Sequence, residues 1–155
     1  MNSRRSNQTI FGLTLALALV LPAAAQTRVP ANDFSVTLQR EPCLGECPYY
    51  KVTILANGSV QYEGGGYVKV EGVRKSAISL SAVQQLEQKL RDQNFLHWEE
   101  KQEICVDYPV VEITATIDGQ HTHVLEGCRT PGKILELADE IDRLAGTARW
   151  VGATR

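Results

Sequence analysis

No apolar run in this 155-residue chain is long enough to cross a bilayer. The longest, Ile10 to Leu21, holds 12 mostly apolar residues, whereas a spanning helix needs ~20. Arg4 and Arg5 precede it and Ala23-Ala24-Ala25 follows it. A basic start, a short apolar core and small residues at a cut site make a secretory signal peptide. Residues 1–25 are therefore expected to be removed, with Gln26 as the first mature residue. The rival reading, an uncleaved anchor helix, falls short of the span. No cysteine stands at the cleavage point, which argues against a lipid anchor, and Arg4-Arg5 runs into Ser-Asn-Gln rather than a twin-arginine pattern. The expected location is periplasmic or secreted, with no stable membrane anchor after cleavage.

A basic run is missing as well. Without residues 1–25 the chain keeps 14 basic against 18 acidic residues, and a mildly acidic chain of this kind argues against nucleic acid or an anionic membrane as partner. Residues 136–142 hold the densest acidic stretch and read as a solvated helix face. There is no glycine fingerprint and no strand–helix–strand alternation to suggest a nucleotide fold. Gly64-Gly65-Gly66 has no helix directly behind it to help cradle a phosphate, so it reads as a bend that breaks a strand.

Catalytic patterns are equally scarce. No serine, histidine and acid are spaced to suggest a hydrolase, although such triads assemble in space, and no catalytic residue is assigned. Asp107, between Cys105 and Pro109, reads as a turn cap. His121-x-His123 places two imidazoles on one strand face, but two ligands without a third make a poor metal site. No metal or cofactor is expected.

What the chain does have is periodicity. Asp33 to Gln39 alternates, with Phe34, Val36 and Leu38 on one face. Tyr49 to Leu55 alternates too, with Tyr50, Val52 and Ile54 together. The turn at Asn57-Gly58 is fixed by pairing: a two-residue loop would set Ile54 against Gln61, whereas the three-residue loop Ala56-Asn57-Gly58 sets Ile54 against Val60 and Val52 against Tyr62. The second keeps apolar residues on one face and places Gly58 in the left-handed region. Tyr67 to Val73 is expected to resume the strand after the glycines. Ser81 with Gln84 predicts a capped helix start, Val83, Leu86 and Leu90 its buried face, and Asn94 its end. Residues 95–108 read as irregular.

Val110 to Ile117 and Gln120 to Glu126 predict a second hairpin across Asp118-Gly119. A two-residue loop there pairs Ile113 with Val124 and leaves both histidines outside, opposite Thr116 and Thr114. Thr130-Pro131 predicts the start of a last helix with Ile134, Leu137, Ala138, Ile141, Leu144 and Ala145 as its stripe and Gly146 as its stop. The fold class is α+β: an antiparallel sheet built from two hairpins plus flanking strands, with two helices packed on one face. Residues 33–146 are expected to form its single domain and residues 147–155 a loose tail, with Trp150 as the residue that could pin it. A hairpin followed by a helix occurs twice, which hints at duplication.

All four cysteines, Cys43, Cys47, Cys105 and Cys128, lie beyond the signal peptide, and an even count in an exported chain reads as disulfides with three possible pairings. The stretch Cys43-x-Gly45-x-Cys47-Pro48-x-Tyr50, with Asn57-Gly58, Tyr62-x-Gly64 and Asp107-x-Pro109, resembles a family of small bacterial exported domains of unknown function. The similarity runs from about Phe34 to about Ala145 and implies the exported location and the fold, but no activity. It also implies the pairs Cys43–Cys47 and Cys105–Cys128, because the first two cysteines belong to the shared motif and the last two look like a joint addition. The competing arrangement links the motif cysteines to Cys105 and Cys128.

Cys-x-x-x-Cys-Pro is similar, too, to the copper-binding motif of Sco-type copper chaperones, where a helix follows; here a strand pattern follows, from Tyr49. Tyr49, Lys51, Tyr67 and Lys69 fall on outward strand positions and make a candidate binding face. The reading is an exported, disulfide-stabilised, non-catalytic binding or structural module. Its expected partner is an envelope protein, a secreted hydrolase or a cell-wall fragment. The alternative is a copper-handling or thiol-redox protein using Cys43 and Cys47.

Overall fold

Alternation along three consecutive strands builds the centre of the computed structural model, which describes residues 33–99, 110–127 and 132–152. The sheet comprises β1 (Ser35–Arg40), β2 (Tyr49–Leu55), β3 (Ser59–Gly66), β4 (Gly72–Ala77), β5 (Val111–Ile117) and β6 (Gln120–Glu126). Its six strands lie in the order β4-β3-β2-β1-β5-β6, every neighbouring pair antiparallel. Two main helices, α1 (Leu80–Asp92) and α2 (Gly132–Ala145), pack on one face; a 3-10 turn, Phe95–His97, follows α1, and a short α3 (Ala148–Val151) follows α2. The α+β architecture is the expected one.

Register explains which face the helices cover. Val36 pairs with Ile54 and Ala115, and Leu38 with Val52 and Ile113, so the inward residues of β1, β2 and β5 form continuous rows. Ile54 meets Val60 and Val52 meets Tyr62, as the three-residue loop requires, and Gly58 sits at φ 81°. In the last hairpin Ile113 meets Val124 while Thr114 and Thr116 face His123 and His121, and Asp118 and Gly119 both take positive φ. Val83, Leu86 and Leu90 of α1 and Ile134, Leu137, Ala138 and Ile141 of α2 close the core. Each fully buried aliphatic side chain of this kind contributes about 1.5–3 kcal/mol. Outside, the sheet shows the polar alternates, among them Thr37 and Thr53, whose hydroxyls meet at 2.9 Å.

Three local expectations are corrected. The glycines do not break β3: it runs through Gly66, with Gly64 opposite Tyr50, Gly66 opposite Tyr49, and a bulge between those tyrosines. The ring of Tyr49 lies on the bare backbone, so that a Cβ on Gly66 would come 2.6 Å from its Cε1. An aromatic side chain covers the surface that the glycines leave open. Nor does a strand resume at Tyr67. That residue turns at φ 52°, Gly72 turns at φ 74°, and the amides of Lys69 and Val70 between them bond the carbonyls of Val151 and Trp150 instead of a strand. The strand that does follow, β4, stands between the first hairpin and α1, so the two halves are not simple repeats. Finally, the N-cap of α1 is Ser79, not Ser81: its hydroxyl accepts from the Ala82 amide at 3.2 Å, and Ser81 lies inside the first turn. Residues 1–32, the Thr130-Pro131 start and Asp107 lie outside the described residues.

A cleft at the end of α2

Alternation on β1 also creates the site. Phe34, Val36 and Leu38 point inward and are buried. Arg40, the last residue of the strand, keeps the same parity, in one row with Tyr50 and Val111. A guanidinium on a core face must find partners or stay wet. Helix α2 supplies them, because Asp142 shares a face with Ala138 and Ala145 at helical spacing. Arg40 Nε and Nη2 donate to Asp142 Oδ2 at 3.0 and 2.8 Å, and Nη2 also to Asp139 Oδ1 at 2.9 Å. Tyr50 Oη accepts from Arg40 Nε at 3.0 Å and donates to Asp142 Oδ2 at 2.7 Å. Asp142 Oδ1 takes the buried Thr147 hydroxyl at 2.7 Å.

The acidic stretch is thus divided. Asp139 is a solvated face residue, with 75 % of its side chain exposed, whereas Asp142 is turned inward and keeps 15 %. Burial acts against the Arg40 charge, but the hydrogen bonds to Tyr50 and Asp142 and the Asp142 carboxylate charge outweigh it, so this guanidinium holds its proton more tightly than a free one. Burial, and then the Asp142 charge, raise the Tyr50 hydroxyl well above an ordinary phenol against the opposing pull of Arg40. Tyr50 is therefore a hydrogen-bond donor throughout the physiological range.

Two further walls complete the site. Gly146, at φ 67°, ends α2 and turns the chain into α3. There Trp150 stacks on Tyr62 with ring centroids 4.8 Å apart, and Tyr62 leans on Tyr50 at 5.7 Å. Burial, and then Asp142, raise the Tyr62 hydroxyl as well. Residues 147–152 are thereby held against the sheet by the tryptophan the sequence marks as their anchor. The other wall is the loop closed by Cys43–Cys47, with α-carbons 5.7 Å apart. The chain folds back at Gly45, whose amide faces Cys43 Sγ at 3.2 Å. This is the first expected pair; Cys105 and Cys128 lie outside the described residues.

Between these walls lies a cleft of about 580 Å³, inside the roughly 300–1,000 Å³ range of small-molecule sites. Pro48, Val110, Val111, Ala148 and Val151 give it apolar sides, and Arg40, Asp139, Asp142 and Arg143 its charges. A smaller hollow of about 210 Å³ shares Arg40 and Tyr50 with the cleft and is bordered by Tyr49, Lys51 and Glu63.

Of the residues expected to form a binding face, Tyr49 and Lys51 stand together at that smaller hollow, with Lys51 Nζ 3.8 Å from Glu63. Tyr67 and Lys69 sit apart in the loop before β4; Tyr67 is exposed, and Lys69 bonds α3 through its amide. The histidines lie on the outer sheet face, His121 Nδ1 3.2 Å from Thr116 Oγ1 and His123 Nε2 2.9 Å from Glu112. Among the described residues no three His, Cys, Asp or Glu gather as a metal site.

An antiparallel α+β domain, helices on one face and a polar-floored cleft at the sheet end, defines the structural class. The chain belongs to the family described as Domain of unknown function (DUF6438), whose model matches residues 34–145. No curated protein matches it. The matched span includes β1, β2 and all of α2, and hence Arg40, Tyr50, Asp139 and Asp142.

Proposed function

We propose that this chain is an exported, disulfide-stabilised binding module that takes a small ligand in the cleft between β1, α2, α3 and the Cys43–Cys47 loop. The observation that carries this reading is the cleft: apolar walls over a floor whose polar groups are paired with one another. Asp142 accepts from Arg40, Tyr50 and Thr147, and Arg40 faces two carboxylates. Such a floor fixes the walls in place and leaves neither charge poised for acid–base chemistry. A non-catalytic role fits it. Export is supported by the pattern of residues 1–25 and by a closed disulfide, which suits an oxidising compartment. A cell-wall fragment, or a short segment of an envelope protein or secreted hydrolase, fits such a volume.

A second reading, copper handling or thiol redox through Cys43 and Cys47, is favoured by one observation: Cys47 borders the cleft. Against it stands β2, which begins at Tyr49 where a helix would lower a thiol pKa. Two measurements on the exported protein test the proposal. Nile red should fluoresce on binding the wild type and not the Ala148→Trp variant, whose indole would fill the cleft from an exposed position. A thiol count should find Cys43 and Cys47 unreactive without reductant. Equal dye binding by both proteins would reject the cleft, and two reactive thiols would favour the second reading.

A further inference from the structure

We infer that the cleft selects ligands in which an apolar body carries a positively charged amine; this rests on the cleft being the binding site. The inference comes from which charges are left over. Of the two cations on its lining, Arg40 spends Nε and Nη2 on Tyr50, Asp142 and Asp139. Arg143 has its charge matched by Glu140, through Nε and Nη2 at 2.8 and 2.7 Å, with Nη1 unbonded among the described residues. Of the two acids, Asp142 has both oxygens engaged. Asp139 uses Oδ1 alone, and among the described residues no hydrogen bond reaches its Oδ2.

The leftover charge is therefore negative and stands at the rim, on a side chain that is 75 % exposed. The α2 C-terminus adds nothing to this, because Arg149 Nη2 already donates to the Ala145 carbonyl at 3.0 Å. An amine at the rim meets Asp139, while its apolar body lies on Val111, Ala148 and Val151. An anion at the same point meets a carboxylate, and guanidiniums whose charges Asp142 and Glu140 already balance.

Isothermal titration of the full exported protein with n-octylammonium, 1-octanol and octanoate, all below micelle formation, tests this. The ammonium should bind roughly threefold to fivefold tighter than the alcohol, the gain of one exposed ion pair, and the carboxylate more weakly than the alcohol. Asp139→Asn should bring the ammonium to the level of the alcohol measured on the same variant. Asp139→Glu should restore the preference, which a merely structural role for Asp139 would not do. Octanoate binding as well as octylammonium, or a preference that survives Asp139→Asn, would overturn the inference while leaving the binding site intact. If none of the three binds, the inference and the proposed site fall together.

Discussion

Removing the Asp142 carboxylate should cost far more than removing a surface charge. In Asp142→Ala the Arg40 guanidinium, 22 % exposed, keeps only the exposed Asp139 as its carboxylate partner. Breaking a fully buried pair costs about 3–5 kcal/mol and breaking an exposed one about 0–1. Exposures of 22 % and 15 % lie nearer the first limit, but the remaining Asp139 contact and partial solvation reduce the charge contribution to about 2 kcal/mol. The Tyr50 hydroxyl also loses its acceptor, and that of Thr147 keeps only the main-chain carbonyl of residue 142 at 3.4 Å, at up to about 1 kcal/mol for a hydroxyl left dry. A total near 3 kcal/mol follows, which for a domain of this size lowers Tm by roughly 10 °C. Because the pair is costly to break but not to replace, Arg40→Met with Asp142→Leu should recover most of the loss. Urea unfolding followed by tryptophan fluorescence measures both. A loss below about 1 kcal/mol in the single variant, or a double variant less stable than the single one, would refute this assignment of the network.

Tyr50 gives the network a signature at alkaline pH. Its folded pKa is raised above the unfolded value, so its contribution is complete below pH ~10 and is lost as pH rises through the folded value. Alkaline unfolding should be steeper in the wild type than in Tyr50→Phe; identical profiles would count against it. Replacing both Cys43 and Cys47 by Ser should cost about 2 kcal/mol by loop-closure entropy, and non-reducing peptide mapping should recover the two cysteines joined to each other. Gly65→Ala should lose about 1–3 kcal/mol through the clash with the Tyr49 ring, and Tyr49→Ala in the same chain should recover part of it; no recovery would mean that the ring is not the obstacle.

How much of this was legible in the sequence depends on how far apart the interacting residues stand. The hairpins were legible because pairing arithmetic decides them: only one loop length sets Ile54 against Val60, and only one keeps His121 and His123 outside. The fate of Gly64-Gly65-Gly66 was not, since nothing local says that the Tyr49 ring will cover them. Ser79 and Ser81 offer the same capping chemistry two residues apart, and the hydrogen bond of Ile78 to Gly58 lies beyond a local pattern. The site was the least legible part, because Arg40 and Asp142 are 102 residues apart. Its signals were nonetheless present: the inward parity of β1 reaches a charge at Arg40, and Asp142 falls on the α2 stripe with Ala138 and Ala145. Reading the acids of residues 136–142 as one solvated face hid the one that turns inward.

Whether the cleft is a binding site is tested most directly by a backbone amide NMR titration of the protein with 1-octanol. Saturable shifts should concentrate at Val111, Ala148, Val151 and Gly152, with Thr53 and Thr114 on the outer sheet face unmoved. Shifts centred on the outer face, or none that saturate, would contradict a ligand site at the end of α2.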